Sequence, residues 1–293
     1  MSQSTQTRTV SLLGCGWLGI ALAHSLIERG VHVRGSTTRS SRLGLLTSLG
    51  VEAFLLRIEP DGAGSEGLGA FFESDCLLID LPPEISLGAD YHLGQISSIL
   101  SMIAARPPRQ LVYVSSTSVY GAGQGAVDET TPPVPDGESG TVLLQAEQML
   151  SSFARESGVG LTIVRPGGLM GPGRHPGLFL AGRKSVRNGQ APVNMIHQLD
   201  LSDLIASLIV DHPAEGVAIF NAVDAHHPTR EEFYSRASKA IGVEAPEFAP
   251  AGVTAETDKI AAAAGKIVIA EKIRKLTGVR PRFQTLFEAI GAL

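Results

Sequence analysis

The stretch Thr9–Gly19 reads TVSLLGCGWLG. Its first five residues form a strand pattern, and the next six, Gly14-Cys15-Gly16-Trp17-Leu18-Gly19, fit G-x-G-x-x-G. Leu18, Leu22 and Leu26 then recur at helical spacing, and the pattern stops at Gly30, a residue suited to the position just past a helix. Val31–Val33 is a second strand. The hexapeptide alone is a weak signal, but strand, turn, helix and strand in that order are the context a dinucleotide fingerprint requires. Gly14 permits the tight turn, Gly16 the close approach of a pyrophosphate, and Gly19 the packing of helix on strand. The N-terminus of the helix offers N–H groups and a partial positive charge to the phosphates. Trp17 and Leu18, inside the fingerprint, are placed against the cofactor with the three glycines.

Working outward, the alternation continues. Val51–Ile58 and Cys76–Ile79 read as strands, and Asp90–Ala105 as a helix. Leu111–Val114 is a strand, Thr141–Ser157 a helix and Leu161–Val164 a strand. Strands separated by helices imply a doubly wound parallel sheet with ligand at the strands' C-terminal ends. Later come a helix over Ser202–Asp211, a strand over Ala218–Ala222, a helix started by Thr229 with Glu232 in a capping box, and a loop over Ala245–Gly252. Of 293 residues 33 are glycine, 43% are hydrophobic and 18% charged, which suits a large core and excludes collagen-like or low-complexity chains. The net charge of −5 argues against a nucleic-acid surface, which usually shows a basic patch. No run of 18 apolar residues suggests a membrane span. Cys15 and Cys76 sit in apolar, strand-like contexts that predict buried thiols.

The cofactor type follows from an absence. An acid about 20 residues past the fingerprint would hold a ribose 2′-hydroxyl. Val33–Arg42 reads VRGSTTRSSR and has none. Ser36, Thr37, Thr38 and Arg39 stand there instead, and hydroxyls with a guanidinium suit a 2′-phosphate. NADP is therefore expected over NAD. Leu81 and Pro82, after the strand Cys76–Ile79, and Ser115 complete the expected cofactor contacts.

Leu111–Gly121 reads LVYVSSTSVYG. It resembles the fifth-strand motif of the extended short-chain dehydrogenase/reductase family, which includes nucleotide-sugar epimerases and dehydratases. Val164–Gly173 (VRPGGLMGPG), Asn194–Leu204 (NMIHQLDLSDL) and Lys272–Leu286 (KIRKLTGVRPRFQTL) resemble later motifs of that family. The resemblance implies an α/β fold with a Rossmann-type doubly wound parallel sheet over residues 1–168 and a smaller C-terminal substrate domain over 169–293, with segments near 192–225 returning to the sheet. It also implies chemistry by a Ser/Thr, a Tyr and a Lys, the last two spaced Tyr-x-x-x-Lys. Ser116 matches the Ser/Thr. The family register, anchored on Ala146-Glu147, puts Ser139 at the Tyr position and Leu143 at the Lys position, and no Tyr or Lys occurs anywhere in Gly121–Arg155.

Substitutes are few. Tyr120 shares the loop of Ser116 and is the first candidate acid/base, though the family often keeps a structural Tyr there. Arg174 and His175, in the glycine-rich loop after the sixth strand, are candidate substrate contacts. His197 and Asp200 match a mainly structural family motif. His226-His227 lack a third ligand at useful spacing, so no metal is expected. Two functions compete: an NADP-dependent epimerase/dehydratase-like oxidoreductase acting on a carbonyl or nucleotide-sugar-like small molecule by hydride transfer, with a non-standard acid/base, and a non-catalytic NADP(H) sensor. A cytoplasmic protein, with a homodimer as the assembly considered and no nucleic-acid or membrane partner, completes the expectation.

Overall fold

The computed structural model describes residues 8–63, 68–250 and 265–293. The strand expected at Thr9–Leu13 is β1, and Gly14–Gly16 turns the chain into α1, Trp17–Ile27. Leu18, Leu22 and Leu26 of α1 are buried, and each such side chain contributes about 1.5–3 kcal/mol when fully withdrawn from water. Gly30, at φ +76°, takes the left-handed conformation past the helix end. The chain continues as β2 (His32–Thr37), α2 (Leu43–Ser48), β3 (Glu52–Leu55), β4 (Ile58–Glu59), β5 (Gly62–Ala63), α3 (Leu68–Phe72) and β6 (Cys76–Ile79). The single strand expected over Val51–Ile58 is thus divided. β3 pairs with β2 and ends at Leu55, and β4 turns back antiparallel on β5 across Pro60-Asp61. Proline and aspartate favour such a turn.

Next come α4 (Ala89–Ile103), β7 (Gln110–Val114), β8 (Ala126–Val127), α5 (Glu138–Ser157), β9 (Gly160–Pro166), β10 (Gly168–Met170), β11 (Met195–His197), α6 (Gln198–Val210) and β12 (Val217–Ala222). The C-terminal part holds α7 (Arg230–Ala240), β13 (Ile267–Val268), α8 (Glu271–Thr277) and α9 (Leu286–Gly291). Seven strands form one parallel sheet in the order β12-β9-β7-β6-β1-β2-β3. The order reverses direction between β1 and β6, and that switch point is where an open α/β sheet binds its ligand. The loop expected over Ala245–Gly252 is described as far as Pro250; its last two residues lie outside the described residues.

The chain forms two compact units. One comprises Met1–Ser115, Thr141–Val164 and Ser202–Ile219, and the other Ser116–Gly140, Arg165–Leu201 and Phe220–Leu293. The first is built around the sheet, with Val10, Leu12, Leu77, Leu78, Leu111 and Ile163 in its core. The second has its own core of Met170, Val193, Met195, Phe233, Ala237, Leu286, Ala289 and Ile290, with Phe283 and Phe287 against it. Two short parallel ladders, β10 with β11 and β8 with β13, belong to the second unit.

Candidate functional site

The glycine turn lies at the switch point, and its three glycines answer to different constraints. Gly14 has φ +99°, and a Cβ there would stand 2.2 Å from the Asp80 carbonyl oxygen at the end of β6. A Cβ on Gly19 would stand 2.8 Å from the Gly14 carbonyl oxygen. Among the described residues a Cβ on Gly16 would meet nothing nearer than that oxygen at 3.9 Å. The turn closes on itself through Gly16 N–H donating to Gly14 O (2.7 Å). Gly16 caps α1 without a side chain, and the first turn carries no acid. The positive end of the helix dipole is therefore unneutralised by its own sequence. Trp17 is half-buried, while Leu18 is buried and belongs to the core.

Ser36 and Thr37, at the end of β2, are buried. The Gly14 N–H donates to the Ser36 hydroxyl oxygen (2.9 Å), and the Arg39 N–H to that of Thr37 (3.2 Å). Ser36 therefore supports the glycine turn instead of standing open beside it. Thr38 and Arg39 are exposed. Arg34 is engaged by Glu52 (2.9 Å) and by backbone carbonyls of Ala70 and Glu73. After β6, Leu81 is half-buried and Pro82 exposed. Leu81 lies beside the turn, its Cδ2 3.5 Å from where a Gly14 Cβ would be. Both cysteines are free and buried. Burial pushes each thiol up to about 12.

At the end of β7 the buried Ser115 hydroxyl donates to the Glu147 carboxylate of α5 (2.6 Å), and its N–H donates to Val164 O (2.8 Å). The first distance is that of a charge-assisted bond. On the same helix Leu143 is buried beside Val142, Ala146 and Leu150, whereas Ser139 is half-buried.

In the second unit Ser116 caps the turn Thr117–Val119, its hydroxyl oxygen accepting the Ser118 N–H (3.1 Å). That bond leaves the hydroxyl proton for donation. Tyr120 has no exposed surface. Its hydroxyl donates toward Asp128 O (2.9 Å) and Asn221 Oδ1 (3.1 Å) and accepts from Arg165 (2.7 Å). The Arg165 guanidinium also stands over its ring. Burial holds the phenol above its ordinary range. These bonds correct the expectation of Tyr120 as acid/base: a phenol enclosed by an arginine, an amide and a carbonyl cannot meet a substrate, and its role is structural.

His175 needs a similar correction. It is buried, Nδ1 accepts from Gly177 N–H (3.1 Å), and Nε2 faces Ile290 O (3.3 Å). One neutral tautomer satisfies both contacts, so the ring ties the turn Pro176–Leu178 to α9 instead of meeting a substrate. Arg174 is exposed in the tight turn bridged by Gly171. His197 accepts from Leu199 N–H (3.3 Å) and packs edge-on against Phe283, and Asp200 accepts from Arg282 N–H (2.9 Å). Among the described residues no group of three His, Cys, Asp or Glu side chains could hold a metal ion, and no helix is long and apolar enough to cross a membrane.

A relative in Escherichia coli (strain K12), protein YeeZ, is 39% identical over 244 residues, covering 82% of this chain and 86% of its own. The sequence profile of the NAD dependent epimerase/dehydratase family matches residues 92–223. The chain belongs to that family. Solved structures share the fold. A conserved protein of unknown function from Silicibacter pomeroyi superposes with a TM-score of 0.76 at 24% identity, over 98% of both chains. UDP-glucose 4-epimerase from Thermotoga maritima, solved with UDP-glucose, gives 0.76 at 17% identity over 97% of this chain and 96% of its own. UDP-glucose 4-epimerase from Bifidobacterium longum, in complex with NAD+ and UDP, gives 0.77 at 17% over the same shares.

For a member of this family, three polar residues were not singled out by sequence reasoning. Glu147 served there only to anchor a register. Arg165 lies within the motif Val164–Gly173 but its role did not show there, and Lys266 carried no motif signal, since their partners lie far along the chain. Lys266 of the second unit donates to Thr117 O (2.7 Å) and to Tyr120 O.

Proposed function

We propose that this epimerase/dehydratase family member is an NADP-dependent oxidoreductase acting on a carbonyl or nucleotide-sugar-like substrate by hydride transfer, with an acid/base other than the usual tyrosine. The observation that carries this reading is the glycine turn. Gly14 and Gly19 are required by the protein's own packing, whereas among the described residues a Cβ on Gly16 would meet nothing nearer than the Gly14 carbonyl oxygen at 3.9 Å. That cradle fits a pyrophosphate. Gly14, Gly16, Trp17 and Gly19 would hold it with the first turn of α1, and Leu81 and Pro82 would flank it. Thr38 and Arg39 would meet the 2′-phosphate, because both are exposed at the end of β2 and Val33–Arg42 holds no acid. When bound, the nicotinamide supplies or accepts the hydride. Ser116 would direct its hydroxyl proton to the substrate oxygen. The sheet unit would serve the nucleotide and the second unit, with Arg174 exposed, the substrate.

The test is a fluorescence titration with NADPH and NADH, followed by a panel of carbonyl compounds and nucleotide sugars. NADPH is expected to bind at least about ten-fold tighter than NADH, a difference of about 1.4 kcal/mol. Arg39→Glu should erase that margin, and equal affinities in the unaltered protein would remove the NADP assignment. A second reading, a non-catalytic NADP(H) sensor, is favoured by one observation: the α5 segment offers the buried apolar Leu143 and neither Tyr nor Lys. Protein that binds NADPH, leaves it unoxidised across the panel and copurifies with no sugar nucleotide belongs to that second reading. Turnover abolished by Ser116→Ala excludes it.

A further inference from the structure

Lys266 is held with unusual care for a lysine. Its own carbonyl accepts from Asn194 Nδ2 (2.8 Å), and the Asn194 Oδ1 accepts from Val268 N–H (2.8 Å). One asparagine therefore grips the backbone on both sides of the residue after it, Ile267. Beyond that grip, Ile267 N–H donates to Gly125 O (2.9 Å) and Ile269 N–H to Val127 O (2.8 Å), which fixes β13 on β8. The preceding Gly265 lies so close to Pro192 that a Cβ would stand 2.2 Å from its Cδ. On this base the side chain reaches the turn that begins at Ser116, and the ammonium donates to the carbonyls of Thr117 and Tyr120.

Of these two carbonyls, Tyr120 O takes its hydrogen bond from Lys266, whereas Thr117 O has a second donor. Thr117 O already accepts the Tyr120 N–H (3.1 Å). A desolvated ammonium is an expensive way to cap a carbonyl that has a partner. Its residue is half-buried. An ammonium has three donors, and among the described residues no acceptor for the third lies within hydrogen-bond distance. Asp136 is the acid whose charge acts on it, and burial depresses its pKa.

We propose that Lys266 is the cation of the reaction site: two of its N–H groups fix the Ser116 turn and the third faces the substrate oxygen that Ser116 meets. The inference rests on the assignment of Ser116 to the reaction site. It is one of fixed electrostatic stabilisation: charge that develops on the substrate oxygen meets a donor already in place.

Two measurements test it. The first needs no turnover: acetylation of the folded protein by acetic anhydride over a pH series, with each lysine followed by peptide mass spectrometry. Lys266 is expected to react, and to reach half-maximal reactivity at a lower pH than the exposed Lys239. A Lys266 that stays unmodified while Lys239 reacts has no open donor, and the proposal is overturned. The second compares Lys266→Met and Lys266→Arg on whichever panel compound the unaltered protein turns over. Lys266→Met should lower kcat by about 10²–10³-fold, the loss typical of one such donor, while NADPH affinity stays within about two-fold. Lys266→Arg should recover part of kcat. A variant that melts earlier but keeps kcat shows a carbonyl clamp only and overturns the proposal. If the unaltered protein turns nothing over, the oxidoreductase reading falls by itself. Lys266 is then decided by acetylation with and without UDP-glucose, where protection supports the site and equal rates overturn it.

Discussion

Gly14, Gly16 and Gly19 share one hexapeptide and can be separated by substitution. Gly14→Ala forces a positive φ on an L side chain and drives its Cβ to 2.2 Å from the Asp80 carbonyl oxygen. Backbone must move, at a cost of about 1–3 kcal/mol for the φ alone. Among the described residues Gly16→Ala meets no atom nearer than 3.9 Å, so its stability should stay within about 1 kcal/mol of the parent. The expected pattern in urea denaturation and NADPH titration is a double loss for Gly14→Ala and a loss of binding alone for Gly16→Ala. A Gly16→Ala protein that binds NADPH like the parent removes the pyrophosphate from this turn. The roles of Gly14 and Gly19 were legible in the sequence because a strand-to-helix turn imposes them locally. The burial of Ser36 was not, since its partner, the Gly14 N–H, lies 22 residues away.

Helix α5 was legible from its apolar period, beginning at Glu138 where Thr141 was expected. Its buried stripe of Val142, Leu143, Ala146, Leu150 and Ala154 seats it on the sheet. Glu147 interrupts the stripe and ties the helix to β7 through the Ser115 hydroxyl, 32 residues back. Glu147→Ala would leave that hydroxyl buried without its acceptor and open a cavity. A loss of about 2–4 kcal/mol in urea denaturation is expected. Glu147→Gln keeps the volume and an acceptor oxygen, and should lose less than half of that. Equal losses in the two variants would show that the negative charge, and not the acceptor, is what the helix needs.

At the scale of the whole molecule, the two buried thiols make folding sensitive to alkali. Burial raises both from the ordinary 9.0 to about 12; Asp80 adds to the shift at Cys15 and Asp75 at Cys76, against Arg42 and Arg8. Between those values the unfolded chain loses the protons and the folded chain keeps them. Fewer protons bound in the unfolded state means that stability falls as pH rises. The stability should be unaffected by the thiols below pH about 9 and then decline by about 1.4 kcal/mol per pH unit for each thiol. Urea midpoints measured from neutral to alkaline pH, in the parent and in Cys15→Ala/Cys76→Ala, check this. An unchanged alkaline slope in the double variant would mean that neither thiol is withheld from solvent in the native state.

The sequence by itself determined the alternation of the main sheet strands with helices, the glycine turn, the missing acid after β2 and the want of Tyr or Lys in Gly121–Arg155. Each of these is a local property, set by side-chain period, turn chemistry or the presence of a residue type. It could not assign Tyr120, His175 or Lys266. Tyr120 stands in the right loop but is enclosed by Arg165 and Asn221, 45 and 101 residues away. His175 stands in the right loop but is tied to Ile290, 115 residues on. Lys266 carries no motif at all, yet its ammonium reaches the Ser116 turn across 149 residues. Whether a polar side chain is enclosed or presented depends on what packs around it, and packing partners distant in sequence are fixed only by the tertiary fold.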